Sequence, residues 1–108
     1  MTPNFHQAVV RYGDRTVAVV CSRDTGVLAI AEPRGVDFSG GFRESGPLTF
    51  LDHAELADAL RKLTGARVLT RSALGGPFEV ADWPAVSADD VAYWQPSTLG
   101  ELLFNYWD

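Results

Sequence analysis

The sequence predicts an α+β domain: an antiparallel sheet made of an N-terminal three-stranded meander plus one or two further strands, with a central helix and two short C-terminal helices packed on one face. Three observations carry this. Apolar residues alternate with a period of two from Phe5 to Ala31; a capped helical pattern fills Leu51 to Gly65; and beyond Gly75-Gly76-Pro77 two further capping signals open helical stretches. With 108 residues, 46% of them hydrophobic, one compact domain spanning 1–108 is expected.

In the meander, Val17, Val19 and Cys21 share one face of the second strand while Thr16, Ala18, Val20 and Ser22 share the other. Both faces are largely apolar, which marks that strand as central. Gly13-Asp14 suits a two-residue type II′ turn, and Arg23-Asp24-Thr25-Gly26 supplies a longer loop ending in Gly. From Glu32 to Pro47 the periodicity stops, and Pro33, Gly35, Gly40, Gly41, Gly46 and Pro47 punctuate a long loop. Loops of that length inside a small domain are usually either functional or mobile, so Arg34, Phe38, Phe42, Arg43 and Glu44 are site candidates. A crossover with Phe38 and Phe42 tucked into the core is the plainer reading.

Asp52 as N-cap with Glu55 three residues on forms a capping box for the central helix, and Leu51 and Leu56 form its hydrophobic staple. This places His53 at the first helical position. Leu56, Leu60 and Leu63 make the apolar stripe, and Gly65 suits the C-terminal cap. Ala66 to Thr70 reads as a short strand. Ser87 caps a helix to Trp94, with Asp89 and Asp90 in its first turn, where the helix dipole favours negative charge. Thr98 and Glu101 launch a last helix, Leu99 to Trp107, apolar around most of its circumference, so it is either clamped in the core or part of an interface.

Charge is distributed unevenly. The net charge is −5, residues 1–50 are neutral, and no Lys or Arg follows Arg71. Residues 72–108 hold six carboxylate side chains, all three tryptophans and seven of the twelve aromatics. An acidic surface repels phosphate backbones, so direct nucleic-acid binding is not expected and a basic protein partner is. No apolar run approaches the ~18 residues of a membrane span. Arg11, Asp14 and Arg15 interrupt the stretch a signal peptide needs, so a cytoplasmic location without membrane contact is expected. Arginines outnumber lysines eight to one and there are thirteen alanines, a composition suited to a GC-rich bacterial genome.

The chemistry-bearing residues are few. One cysteine and two histidines, His6 and His53, with no ligand spacing between them, leave no basis for a metal site or a cofactor. Cys21 and His6, with Asp24 nearby, could in principle form a small nucleophilic site. A cysteine on a central apolar strand is more simply a small hydrophobe. Asp82-Trp83-Pro84 and Tyr106-Trp107-Asp108 each set an acid beside a tryptophan, the composition of an interface anchor with a charged rim. The plainer reading puts at least one tryptophan, Trp94 first, into the core.

The expectation is therefore a non-enzymatic protein-binding module. Its partner-binding residues are Asp82, Trp83, Asp89, Asp90, Trp107 and Asp108, with Phe38, Phe42, Arg43 and Glu44 from the loop. An inhibitor, antitoxin or immunity protein that occludes the basic cleft of a toxin or nuclease has this character. The alternatives are a homo-oligomer joined through the 98–108 helix with a small-molecule pocket, and a small enzyme built on Cys21 and His6.

Overall fold

The computed structural model describes residues 4–33, 36–37, 42–43 and 48–105, with backbone alone at 36–37 and 42–43. The fold is α+β. Strands β1 (Phe5–Tyr12), β2 (Arg15–Ser22) and β3 (Leu28–Ala31) form an antiparallel sheet in the order β1-β2-β3, so β2 is central as its two apolar faces require. Tyr12 pairs with Arg15 across a two-residue turn in which Gly13 alone takes positive φ, +65°, the sign pattern of type II′. Within the long 32–47 stretch, β4 (Val36–Asp37) and β5 (Phe42–Arg43) pair as a small antiparallel ribbon that no periodicity announces.

The outer edge of β3 is filled by two short segments. Phe50 bridges Ala31 in antiparallel sense, with Leu51 N–H donating to Ile30 (2.8 Å) and Glu32 N–H to Thr49 (2.8 Å). Val68 bridges Leu28 in parallel sense, Leu28 N–H donating to Arg67 (2.8 Å) and Leu69 N–H to Leu28 (3.0 Å). The strand expected over 66–70 is thus a single bridge. It runs parallel because the chain returns alongside β3 only after an intervening helix.

Among the described residues four helices follow: α1 (Ala54–Thr64), α2 (Arg71–Leu74), α3 (Ala88–Trp94) and α4 (Leu99–Leu103), with a 3-10 turn at Val80–Asp82. The N-cap of α1 is His53 rather than Asp52: His53 Nδ1 accepts the Leu56 N–H at 3.2 Å. Asp52 is drawn elsewhere, its Oδ1 accepting the Arg71 N–H (2.9 Å), a donor at the start of α2 that has no partner within that helix. Gly65 ends α1 with φ +68°, as expected. Helix α2, unannounced by periodicity, starts on the Thr70 side chain, which accepts the Ala73 N–H at 3.2 Å.

The expectation that all helices pack on one face is corrected by the two cores. On one face of the sheet, Phe5, Val20 and Ala29 meet Leu74 of α2 and Leu99, Leu102 and Leu103 of α4, and Phe104 follows α4 into the same cluster. On the other face, Val17 and Ile30 meet Leu56, with Leu60 and Val10 beside them, so α1 covers the opposite side. Period-two alternation dictates this arrangement: Val17 and Val20 point to opposite faces, are both fully buried, and each needs a cover. Leu63, expected in the α1 stripe, is 83% exposed, since Leu56, Ala57 and Leu60 already cover that patch.

Helix α4 is also shorter than the Leu99–Trp107 span expected. Its start is as predicted, with Thr98 Oγ1 accepting the Glu101 N–H (3.2 Å) and Glu101 Oε2 accepting the Ser97 N–H (2.6 Å). Its end is set by Asn105, whose Nδ2 donates to Glu101 (3.1 Å) and Leu102 (3.0 Å) carbonyls while Phe104 turns extended. Leu99, Leu102, Leu103 and Phe104 are all buried within the chain. Among the described residues every buried side-chain nitrogen or oxygen has a hydrogen-bond partner, and no helix is long and apolar enough to cross a membrane.

Candidate functional site

The acidic, aromatic stretch 77–95 wraps the outside of the α2–α4 core. Phe78, Trp83, Val86 and Val91 are half-buried against it and fix the path of the chain. Consecutive turns hold that path: Asp82 N–H donates to Glu79 (3.0 Å), Trp83 N–H to Val80 (3.0 Å) and Val86 N–H to Trp83 (3.0 Å). Ser87 then caps α3, its Oγ accepting the Asp90 N–H at 3.4 Å.

Two surface features result. The first is a groove of about 510 Å³ lined by Arg67, Pro77, Phe78, Glu79, Asp82, Trp83 and Leu99. The guanidinium of Arg67 lies over the Trp83 ring, its Cζ 5.4 Å from the ring centre. The Glu79 and Asp82 side chains are exposed and make no hydrogen bond or ion pair among the described residues. The second is the outer face of α3. Tyr93 is 78% exposed and Trp94 37%, their rings edge to face at 5.0 Å. Asp89 and Asp90, each one helical turn before one of these aromatics, are exposed too.

Of the residues that sequence pattern put forward, the structure brings Asp82 and Trp83 into the groove and Asp89 and Asp90 onto α3. Of the two described tryptophans, Trp83 and not Trp94 packs on the core: Trp83 lies in the turns that run along it, whereas Trp94 is the last residue of α3 and rests edge to face on the exposed Tyr93. Phe38, Glu44, Trp107 and Asp108 lie outside the described residues, as does Arg34, and the side chains of Phe42 and Arg43 are likewise not described. Tyr93, Phe78, Glu79 and Arg67 escaped sequence reasoning. For Tyr93 a signal was present: it stands two residues from Val91, about 200° round a helix whose other side faces the core.

His6 and Cys21 are direct cross-strand partners in the β1–β2 register. The half-buried thiol nevertheless donates to the carbonyl of Ser22 (3.8 Å) rather than to the imidazole, and Asp24 is paired with Arg23 (3.7 Å). A nucleophile needs its base within hydrogen-bond reach, and that contact is not made. Among the described residues no group of three His, Cys, Asp or Glu side chains is placed to hold a metal ion. A second cleft, about 350 Å³, lies between α1 and the 68–70 segment, with Ile30, Leu51, Ala57 and Val68 inside and Asp52, His53 and Arg61 at its rim. Arg61 is already committed there, to Asp58 (3.1 Å) and to the Val68 carbonyl (3.0 Å).

Comparison with known proteins finds no matching family model, no matching curated protein and no matching solved structure.

Proposed function

We propose that this chain is a non-enzymatic protein-binding module that engages a basic partner protein through the acidic, aromatic surface of residues 78–94, in the manner of an inhibitor, antitoxin or immunity protein. The observation that carries the reading is the exposed Tyr93–Trp94 ring pair set beside the Asp89 and Asp90 carboxylates. Large aromatic side chains supply most of the energy of protein interfaces, and a rim of one charge sign steers an oppositely charged partner into encounter. A tyrosine that is 78% exposed gives the folded chain little beyond its edge-to-face contact with Trp94. The homo-oligomeric alternative through the last helix is less well supported, because the apolar positions of α4 are covered by the chain itself.

The test is retention from an extract of the protein's own cells at low and high salt, run beside the variant Asp89→Asn/Asp90→Asn/Tyr93→Ala. The expected result is a stoichiometric basic protein held at low salt, released at high salt and missed by the variant. Equal retention by the variant, or no retained protein at either salt, overturns the reading.

A further inference from the structure

We propose that the groove beside Trp83 is a socket for an arginine side chain of the partner, and that Arg67 is its occupant in the free chain; the inference rests on the basic-partner reading and narrows it to one side chain. The groove, about 510 Å³, has apolar walls from Phe78, Trp83 and Leu99 and two carboxylates, Glu79 and Asp82, at its margin. A guanidinium matches such a site better than an ammonium: it is planar, weakly hydrated, stacks on an aromatic face and offers a fork of donors to a carboxylate. The Trp83 face already holds one, with Arg67 Cζ 5.4 Å from its centre.

Arg67 is an incomplete occupant. Its side chain is exposed and reaches the ring, yet it makes no ion pair or hydrogen bond with Glu79, Asp82 or any other described residue. Two carboxylates against one guanidinium leave the groove with a surplus negative charge, which attracts a second cation from outside. An incoming arginine exchanges one ring contact for another and adds the charge-assisted hydrogen bonds that Arg67 does not form. Displacement of Arg67 is therefore favoured by the carboxylates and opposed by the ring contact it gives up and by the freedom the incoming side chain loses on binding.

The experiment follows the Trp83 indole N–H resonance while the blocked tripeptide acetyl-Gly-Arg-Gly-amide, or its lysine counterpart, is titrated into the whole chain at fixed ionic strength. We expect a saturable shift with the arginine peptide alone. Arg67→Ala, which removes only an exposed side chain, tightens it by about 2- to 5-fold, the equivalent of one exposed cation–π contact. Glu79→Gln/Asp82→Asn abolishes it. Equal binding of the lysine peptide, no saturable shift, or an affinity unchanged or weakened in Arg67→Ala overturns the proposal. Because the probe is a free peptide, a failed socket with intact salt-sensitive retention of a basic protein leaves the broader reading standing. A working socket with no retained basic protein sinks the broader reading alone.

Discussion

Asn4 and Asn105, separated by almost the whole chain, are locked together by backbone and side chain at once. Asn4 N–H donates to the Asn105 carbonyl (2.9 Å), and Asn105 N–H donates back to Asn4 Oδ1 (2.7 Å). Asn4 Nδ2 reaches the Leu103 carbonyl at 3.2 Å, and both residues are buried. The clasp fastens the lead-in to β1 onto the end of α4, next to the Phe5–Phe104 edge-to-face contact at 6.0 Å.

Replacing Asn4 by Ala leaves the Asn105 N–H and the Leu103 carbonyl buried without their partner. Each such group costs about 1–3 kcal/mol. We expect a loss of about 2–6 kcal/mol, read as a lowered urea midpoint at unchanged slope. A loss below about 0.5 kcal/mol, the size of an ordinary surface substitution, contradicts a buried clasp.

Gly100→Ala runs against ordinary helix propensity. Alanine is normally worth about 1 kcal/mol over glycine inside a helix. Here an added Cβ comes within 2.5 Å of Phe50 Cε2 and 3.1 Å of the Leu74 carbonyl oxygen. Overpacking of this kind costs about 1–3 kcal/mol, so thermal unfolding of Gly100→Ala shifts downward. Adding Phe50→Leu, which withdraws the ring, restores part of the loss, and a double-mutant cycle reads that recovery as a coupling of the two sites.

Tyr93→Ala separates binding from folding. The side chain is 78% exposed, so stability stays within about 0.5 kcal/mol of the parent. Partner affinity falls by about 2 kcal/mol or more if the ring is an anchor, about thirtyfold in Kd by calorimetry. An unchanged Kd removes α3 from the interface.

His53→Ala and His53→Asn test the cap of α1. Loss of the Nδ1 acceptor for Leu56 costs about 0.5–2 kcal/mol in the alanine variant, while asparagine supplies a substitute oxygen and retains most of the stability. Equal denaturation midpoints for the two variants assign the role of His53 to its edge-to-face contact with Tyr12, at 4.8 Å, instead.

Substituting Cys21 by Ser together with His6 by Ala leaves partner binding unchanged. The two sit opposite each other across β1 and β2 but share no hydrogen bond. Loss of function in a variant that still melts cooperatively assigns them a chemical role.

What the sequence made legible was local. The meander, its two-residue turn, the Ser87 and Thr98 caps and the Gly65 stop each follow from residues within one turn of one another. The misses depend on distant partners. Asp52 suits a cap by residue type, but it is taken up by the Arg71 N–H, nineteen residues on, and His53 caps α1 in its place. Trp83 and Trp94 are equally apolar; which one meets the core depends on the path of the 78–86 turns and on where α3 ends, and neither is written in the residues next to them. The placement of α1 opposite α4 was implicit in a β2 apolar on both faces, since Val17 and Ile30 need their own cover. Of the candidate site, acidity and aromatic content were readable as composition. The pairing of Arg67 with Trp83 was not, because it joins residues brought together only by the packing of Leu69 and Leu99 in one core.

The two bridges along β3 also govern the order in which the chain can be completed as it is made. The meander leaves the ribosome before the segments that cover it, and its Leu28–Ala31 rim stays unsatisfied until the residues around Phe50 and Val68 have emerged. A bare strand rim is a template for other strands, so the nascent chain is most prone to pair with a neighbour during the interval in which α1 is being synthesised. Once Leu69 N–H closes on the Leu28 carbonyl, that exposure ends, and the finished protein no longer offers this rim to a neighbour.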